Sequence, residues 1–439
     1  MEEEFNVDDK ELDTPKEVKW PMVAKVLIAT LILLILVLII IIIIVAISKS
    51  DKSDNEKQDD KKNNEEDIID IIDILQKAGY IEPWNDLYGI KMANLSYAKN
   101  DKIINSFKKD GDNYNETMGE INNGEDYPIN ERNKYSLYIP YSSLRRNKTY
   151  NGIFLFIHGG AWVSGDKESL EFLCSRYTKM GYITATMGYT LLIGNYSHYN
   201  IYRILDEITA CLENIKEQLE KLHINTSKLG IAIGGVSAGA HISLLYGYSI
   251  KKTPIPLKFV INIVGPISLE PEFWYKSANY NETLDNLEKK TVEDAIKNGK
   301  IVKIFPDLIF IQLMNIFLGN IYTEKDLNEM IVNDKINKES QKYQEMFNKV
   351  QNSFPIKFVD NQTPPTLCEY GGNDPLVGIG MYGFLKESFD KYGKEVGLVY
   401  MRYAGHELIS YNTEDGIKAM RDMHDKILEY AEKYFTSEE

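Results

Sequence analysis

The chain has 439 residues and a formal net charge of −15, from 65 acidic and 50 basic side chains. That sign disfavours a polyanionic partner and sets nucleic acid aside, while 44% hydrophobic and 26% charged residues suit a globular domain rather than a disordered polymer. Three cysteines, Cys174, Cys211 and Cys368, form no paired framework, so the fold is expected to do without disulfides.

Residues 1–25 form a polar tail. From Val26 to Ile47 the 22 residues carry no charge and are almost wholly Leu, Ile, Val and Ala. At ~1.5 Å per residue such a helix is about 33 Å long, enough to cross a ~30 Å hydrocarbon core. The run exceeds the ~7–15 apolar residues of a cleaved leader and no small-x-small site follows, so 26–47 reads as a single-pass transmembrane signal anchor. Lys16, Lys19 and Lys25 on one side nearly balance Lys49, Lys52 and Lys57 on the other, so lysine counting does not orient it. Asn-x-Ser/Thr sites at Asn94, Asn115, Asn147, Asn195, Asn225, Asn281 and Asn361 suit a catalytic domain outside the cytoplasm, although a chain this rich in Asn forms several by chance. Residues 48–67 contain no apolar side chain and form a charged, disordered linker.

The globular part, 68–439, opens with an amphipathic helical pattern at 68–75. Asn94 to Tyr127 is rich in Asn, Tyr and Asp and shows no periodicity that places it in an element. From Lys134 the reading is regular. Strands are expected at Tyr135–Ile139, Ile153–Ile157, Tyr182–Met187, Leu229–Ile233, Phe259–Val264, Thr366–Tyr370 and Gly397–Met401. Helical patterns intervene, notably Ile201–Leu222 and Thr413–Tyr434. Strands alternating with helices argue a mostly parallel central sheet with helices on both faces. Between about 266 and 365 the alternation stops, leaving helical patterns only, including an apolar stretch from Leu308 to Leu318. This insertion is expected to be a helical cap with an apolar wall for an acyl chain.

Chemistry-bearing residues fall at the expected strand ends. Phe154-Leu-Phe-Ile-His-Gly-Gly-Ala-Trp162 runs an apolar strand into a glycine turn whose N–H groups are free to meet a ligand oxygen. Gly235-Val-Ser-Ala-Gly239 puts Ser237 on a sharp turn between a strand and a helix beginning near Ala240, where Gly235 and Gly239 must be small. A serine hydroxyl needs a base, and His406, in a polar loop after an apolar strand, is the best placed of the six histidines. The base in turn needs an acid, and Asp374 follows the strand-like run at 366–370. Asn-Asp-Pro is also a common turn sequence, which competes for Asp374; Asp360 and Asp390 are less well placed. Ser237 could instead merely cap its helix. His158 and His241 read as bracing or packing residues, and His198, His223 and His424 carry no motif. No spacing of His, Cys or carboxylates suggests a metal, no phosphate-binding loop appears, and no cofactor is expected.

His158-Gly-Gly-Ala-Trp162 together with Gly234-Gly-Val-Ser-Ala-Gly-Ala-His241 resembles the esterase and lipase branch of the α/β-hydrolases related to hormone-sensitive lipase. Trp162 and His241 are closer to its carboxylesterase-like and kynurenine-formamidase-like members. The resemblance runs from about Lys134 to Phe435, less the insertion. It implies Ser237 as nucleophile, Asp374 as acid and His406 as base. It further implies an oxyanion hole from Gly160, Ala161 and Ala238, with Gly159 shaping the turn; such donors are worth about 2.7–4 kcal/mol each in a transition state. Hormone-sensitive-lipase relatives usually carry a third glycine where this chain has Ala161, a change that keeps the backbone N–H. The implied activity is cleavage of a small-molecule carboxylic ester through an acyl-enzyme. An arylformamidase or amidase would use the same triad, and a non-catalytic hydrolase fold used for binding or adhesion is the reading from another class. Oligomeric state is not legible.

Overall fold

The computed structural model describes residues 77, 82–108, 111–113, 125–144, 151–193, 197–271, 273–274, 307–372, 374, 376–402, 404–406 and 413–436. The tail, the expected anchor at 26–47, the linker and the helical pattern at 68–75 lie outside them. Among the described residues no helix is long and apolar enough to cross a membrane.

Eight strands form the central sheet: β1 (Gly89–Ser96), β2 (Lys134–Pro140), β3 (Ile153–Ile157), β4 (Ile183–Met187), β5 (Ile231–Val236), β6 (Leu257–Ile263), β7 (Thr366–Gly371) and β8 (Val396–Met401). Their spatial order is β1-β2-β4-β3-β5-β6-β7-β8. The strand β2 pairs antiparallel with both β1 and β4, and every other pairing is parallel. Parallel strands buried on both faces read as continuous apolar runs, and β3, Ile-Phe-Leu-Phe-Ile, is buried at every position. Side chains on a strand alternate between faces. Accordingly Ile153, Leu155 and Ile157 enter one core while Phe154 and Phe156 enter the other.

Helices cover both faces. On the first lies α2 (Ile201–Lys221), whose Ile204, Ile208, Leu212, Ile215 and Leu219 bury one stripe at helical spacing. It starts where Asn200 Oδ1 accepts the N–H of Arg203, satisfying one of the orphan donors of the first turn. The same core takes α3 (Ala238–Ser249) and α7 (Gly380–Lys391). On the other face α1 (Glu171–Lys179) and α8 (Thr413–Phe435) bury Leu173, Tyr177, Met423, Ile427 and Tyr430. Each fully buried Ile or Leu contributes about 1.5–3 kcal/mol relative to exposure, so these two cores carry the stability of the sheet.

Several boundaries differ from the sequence reading. The fifth strand runs to Val236, directly under Ser237, and the sixth stops at Ile263 because Val264 turns to φ 49°. The helix after the serine starts at Ala238 rather than Ala240. The strand β1 is an addition to the expected set: it lies at the sheet edge, Lys91, Asn94 and Ser96 interrupt its apolar residues, and its register breaks between Met92 and Leu95 at Asn94, which has φ 57°. Within the insertion the described residues form α4 (Asp307–Phe317), α5 (Glu324–Glu329) and α6 (Gln341–Val350), but the segment is not helical throughout. Ile331–Val332 and Lys335–Ile336 pair as a small antiparallel hairpin around Asn333 and Asp334, both at positive φ. The three cysteines are free and buried.

Candidate active site

Ser237 sits between β5 and α3 with φ 54° and ψ −116°, a conformation unfavourable for any residue with a Cβ and tolerated only where the surroundings hold it. The surroundings are glycines pressed against backbone. A Cβ on Gly239 would lie 2.0 Å from the carbonyl oxygen of Ile157, and one on Gly235 would lie 2.5 Å from that same oxygen. The helix can therefore start hard against the end of β3, with the serine projecting above the sheet. Its hydroxyl makes no capping bond to the helix. Instead Ser237 Oγ lies 2.9 Å from His406 Nε2.

His406 Nδ1 is 2.8 Å from Asp374 Oδ2. The other carboxylate oxygen, Oδ1, accepts the backbone N–H groups of Leu376 at 2.8 Å and Val377 at 2.9 Å. Asp374 is thus both a turn residue and the partner of the imidazole, one oxygen for each contact. Both Asp374 and His406 are buried, which strengthens their interaction and keeps the imidazole in one orientation. With Nδ1–H donated to the carboxylate, Nε2 is left to accept from Ser237. Asp360 and Asp390 are elsewhere, paired with Lys251 at 2.8 Å and Lys386 at 3.1 Å.

The turn after β3 brings a second group of donors to the same end of the sheet. Gly160, Ala161 and Trp162 have φ of 113°, 50° and 63°, three successive left-handed residues of which two carry side chains. The Gly160 carbonyl closes the turn by accepting from the N–H groups of Val163 at 3.1 Å and Ser164 at 2.9 Å. The N–H groups of Gly160 and Ala161 donate to no backbone carbonyl among the described residues, and Ala238, the first residue of α3, has no intrahelical acceptor. A Cβ on Gly159 would approach Val236 O to 2.9 Å and Ser237 Cβ to 3.4 Å, so a side chain there would crowd the serine itself.

His158 is buried and stacks on Tyr189 with centroids 4.3 Å apart. Burial pushes its pKa down to about 4, which keeps it neutral. His241, one turn after Ser237, is buried and has its pKa pushed down to about 3 by the same cause. Its Nε2 lies 2.9 Å from Ser353 O, so Nε2–H donates to the insertion. Trp162, His241 and Phe317 meet edge to face or tilted at centroid distances of 4.9–5.5 Å, joining the glycine turn, the serine helix and α4 of the insertion. His424 lies in α8, buried on the opposite face of the sheet, with Tyr177 Oη 2.8 Å from its Nδ1.

Two supporting groups escaped the sequence reading. Asn262, buried in β6, accepts the Gly265 N–H at 2.9 Å and donates to Tyr370 Oη at 2.9 Å, and that hydroxyl donates to Gly265 O at 2.7 Å. A lone Asn inside the apolar run Phe259-Val-Ile-Asn-Ile-Val264 is the signal that could have found it. Arg203 and Glu207 form an ion pair at 2.8 Å with both side chains fully buried. They flank the apolar stripe of α2 as an i, i+4 charge pair, which in sequence is the pattern of an exposed helix face and gives no cue to burial.

A model of the BD-FAE family matches residues 137–387, more than half of the chain; the match includes the glycine turn, Ser237 and Asp374 and ends before His406. Among solved structures the chain is similar to a truncated carbohydrate esterase from gut microbiota, at 16% identity over 80% of this chain and 99% of that one, with a TM-score of 0.49. It is similar also to esterase B of Lactobacillus rhamnosis, at 14% identity over 85% and 97% of the two chains, with a TM-score of 0.44. An esterase of the archaeon Pyrobaculum calidifontis matches at 16% identity over 85% and 94%, with a TM-score of 0.45.

Proposed function

The chain belongs to the BD-FAE family, an ester-hydrolysing branch of the α/β-hydrolases, and we propose that Ser237, His406 and Asp374 carry out that hydrolysis on a small-molecule carboxylic ester. The observation that carries the reading is the unbroken line of contacts from Ser237 Oγ to His406 at 2.9 Å and from His406 to Asp374 at 2.8 Å. Ser237 Oγ attacks the ester carbonyl as its proton passes to His406 Nε2, and Asp374 stabilises the imidazolium that forms. The oxygen of the tetrahedral intermediate takes up hydrogen bonds from the N–H groups of Gly160, Ala161 and Ala238. His406 returns the proton to the leaving alkoxide, which departs as the alcohol and leaves Ser237 acylated. Water then gives up a proton to His406, attacks the acyl carbon, and regenerates the serine with release of the acid.

The apolar segment 26–47 acts in this reading as a membrane anchor, with the catalytic domain held outside the cytoplasm on the linker 48–67. Its support is the length and uniform hydrophobicity of the segment and the Asn-x-Ser/Thr sites. Residues 266–365 serve as the cap, supported by the contact of Phe317 with Trp162 at 4.9 Å beside the glycine turn. Turnover of p-nitrophenyl esters from acetate to octanoate by the full chain in detergent, lost in Ser237→Ala, is the expected result. Equal turnover by Ser237→Ala would remove the triad reading, and turnover of a matched formamide without any ester would replace the ester by an amide. Extraction of the full chain by alkaline carbonate, without detergent, would remove the anchor.

A further inference from the structure

The turn carrying Gly160 and Ala161 is held from outside by a second loop, Gly188 to Leu192, which follows β4. Leu192 donates its N–H to Trp162 O at 2.9 Å. Tyr189 donates its hydroxyl to His158 O at 3.2 Å and stacks on the His158 ring. The two contacts grip the glycine turn at His158, before its three left-handed residues, and at Trp162, the last of them. Such a conformation is strained for a residue with a side chain and persists only where neighbours over-determine it.

The residue between those contacts, Thr190, is fixed by a carboxylate. Glu207 Oε2 accepts the Thr190 N–H at 2.8 Å, and Glu207 Oε1 accepts its hydroxyl. The same Oε1 accepts Arg203 Nε at 2.8 Å and Asn133 Nδ2 at 2.8 Å. Asn130 Nδ2 donates to Thr190 Oγ1 at 2.6 Å, and Tyr97 donates to Gly188 O at 2.9 Å. Glu207 and Arg203 are wholly buried. A buried carboxylate given four directed donors is oriented far more tightly than a solvated one.

Resting on the reading of Ser237 as the nucleophile of an ester hydrolase, we propose that Glu207 is a positioning residue for the oxyanion hole, acting through Thr190 and the Gly188–Leu192 loop on the N–H groups of Gly160 and Ala161. Glu207 touches no reacting atom. Its effect belongs to the transition state, because only there does charge develop on the oxygen that those N–H groups meet.

The test uses the full chain, with Glu207→Gln, which turns one acceptor into a donor facing Thr190, and Thr190→Val, which loosens the link while leaving the buried ion pair intact. Hydrolysis of p-nitrophenyl acetate per titrated active site is compared with inhibition by phenylboronic acid, whose tetrahedral adduct on the serine uses the same hole. The expected result is a fall in kcat of about tenfold to a hundredfold for Glu207→Gln and about threefold to tenfold for Thr190→Val. KM should stay within about twofold, and the boronate inhibition constant should rise by a factor that tracks kcat. If Glu207→Gln does not fold, Thr190→Val decides. Folded variants with wild-type kcat, whatever their thermal stability, overturn the proposal, as does a loss of kcat with unchanged boronate affinity. An inert wild type removes the hydrolase reading together with it, whereas an active wild type with unaffected variants removes this proposal alone.

Discussion

The backbone N–H of Ser237 donates to the carbonyl of Ile263 at 2.8 Å, so the serine at the end of β5 hangs from the end of the neighbouring strand β6. That carbonyl immediately precedes Val264, a β-branched residue at φ 49°. The turn is held by Asn262, which accepts the Gly265 N–H, and by Tyr370, which reaches Gly265 O from β7. Three adjacent strands therefore cooperate to place one hydroxyl.

Asn262→Ala should test that arrangement. It leaves the Gly265 N–H and the Tyr370 hydroxyl short of a partner in a buried site, at a cost of about 1–3 kcal/mol for an unsatisfied group. Urea denaturation should show the midpoint falling with an unchanged slope, together with reduced ester turnover per folded molecule. An unchanged midpoint would mean that the turn after β6 holds itself.

Gly239→Ala should abolish the serine turn. The added Cβ would meet Ile157 O at 2.0 Å and His158 O at 2.5 Å, both backbone atoms of the β3 end and not the flexible tip of a side chain. The start of α3 must move, and misplacement of Ser237, the proposed nucleophile, by about 1 Å can cost of order 10²-fold in rate. Turnover measured beside circular dichroism should show loss of activity by at least that factor, with or without loss of fold. A folded variant of near wild-type activity would contradict the close-approach argument.

Glu369, in the middle of β7, gives the protein a pH-dependent stability. It is fully buried, neither carboxylate oxygen has a hydrogen-bond partner among the described residues, and burial pushes its pKa up to about 8. The folded chain therefore holds a proton that the unfolded chain, with a carboxyl pKa of about 4.5, releases. Stability from this group is fully present below about pH 4.5 and is lost as the pH rises to about 8. Glu369→Gln should flatten that slope in denaturation curves taken from pH 5 to 8. Burial likewise pushes Asp206 up to about 8, while the buried neutral His158 and His241 act with the opposite sign below about pH 6.5. The readout is therefore the difference between the two proteins, which should have this sign throughout. An identical slope in wild type and Glu369→Gln would contradict the assignment.

Much of this architecture can be read from the chain because the physics is local. The strands β3, β5, β6 and β7 announce themselves as apolar runs ending in glycine or polar residues, and Ser237, Asp374 and His406 stand just past such ends. The edge strand β1 is interrupted by Lys91, Asn94 and Ser96 and its register breaks at Asn94, so it carries neither a continuous apolar run nor strict alternation. Arg203 and Glu207 at i, i+4 look like the solvent-exposed pair that helices commonly bear. Only the packing of the residues around 97, 133 and 190 over α2 makes them a buried core charge. Asp374 shows the converse limit, since its turn sequence and its place after a strand suggest different roles, while its side chain makes both contacts, one oxygen to the turn N–H groups and the other to His406.

The most direct test of the central claim is the site of phosphonylation. The full chain is treated with a fluorophosphonate, digested, and the modified residue mapped by mass spectrometry, with His406→Ala alongside. Stoichiometric modification of Ser237 in the wild type, slowed by several orders of magnitude in His406→Ala, is the predicted result. Modification at another serine, or equal labelling rates in the two proteins, would contradict the account of Ser237 as a nucleophile activated by His406.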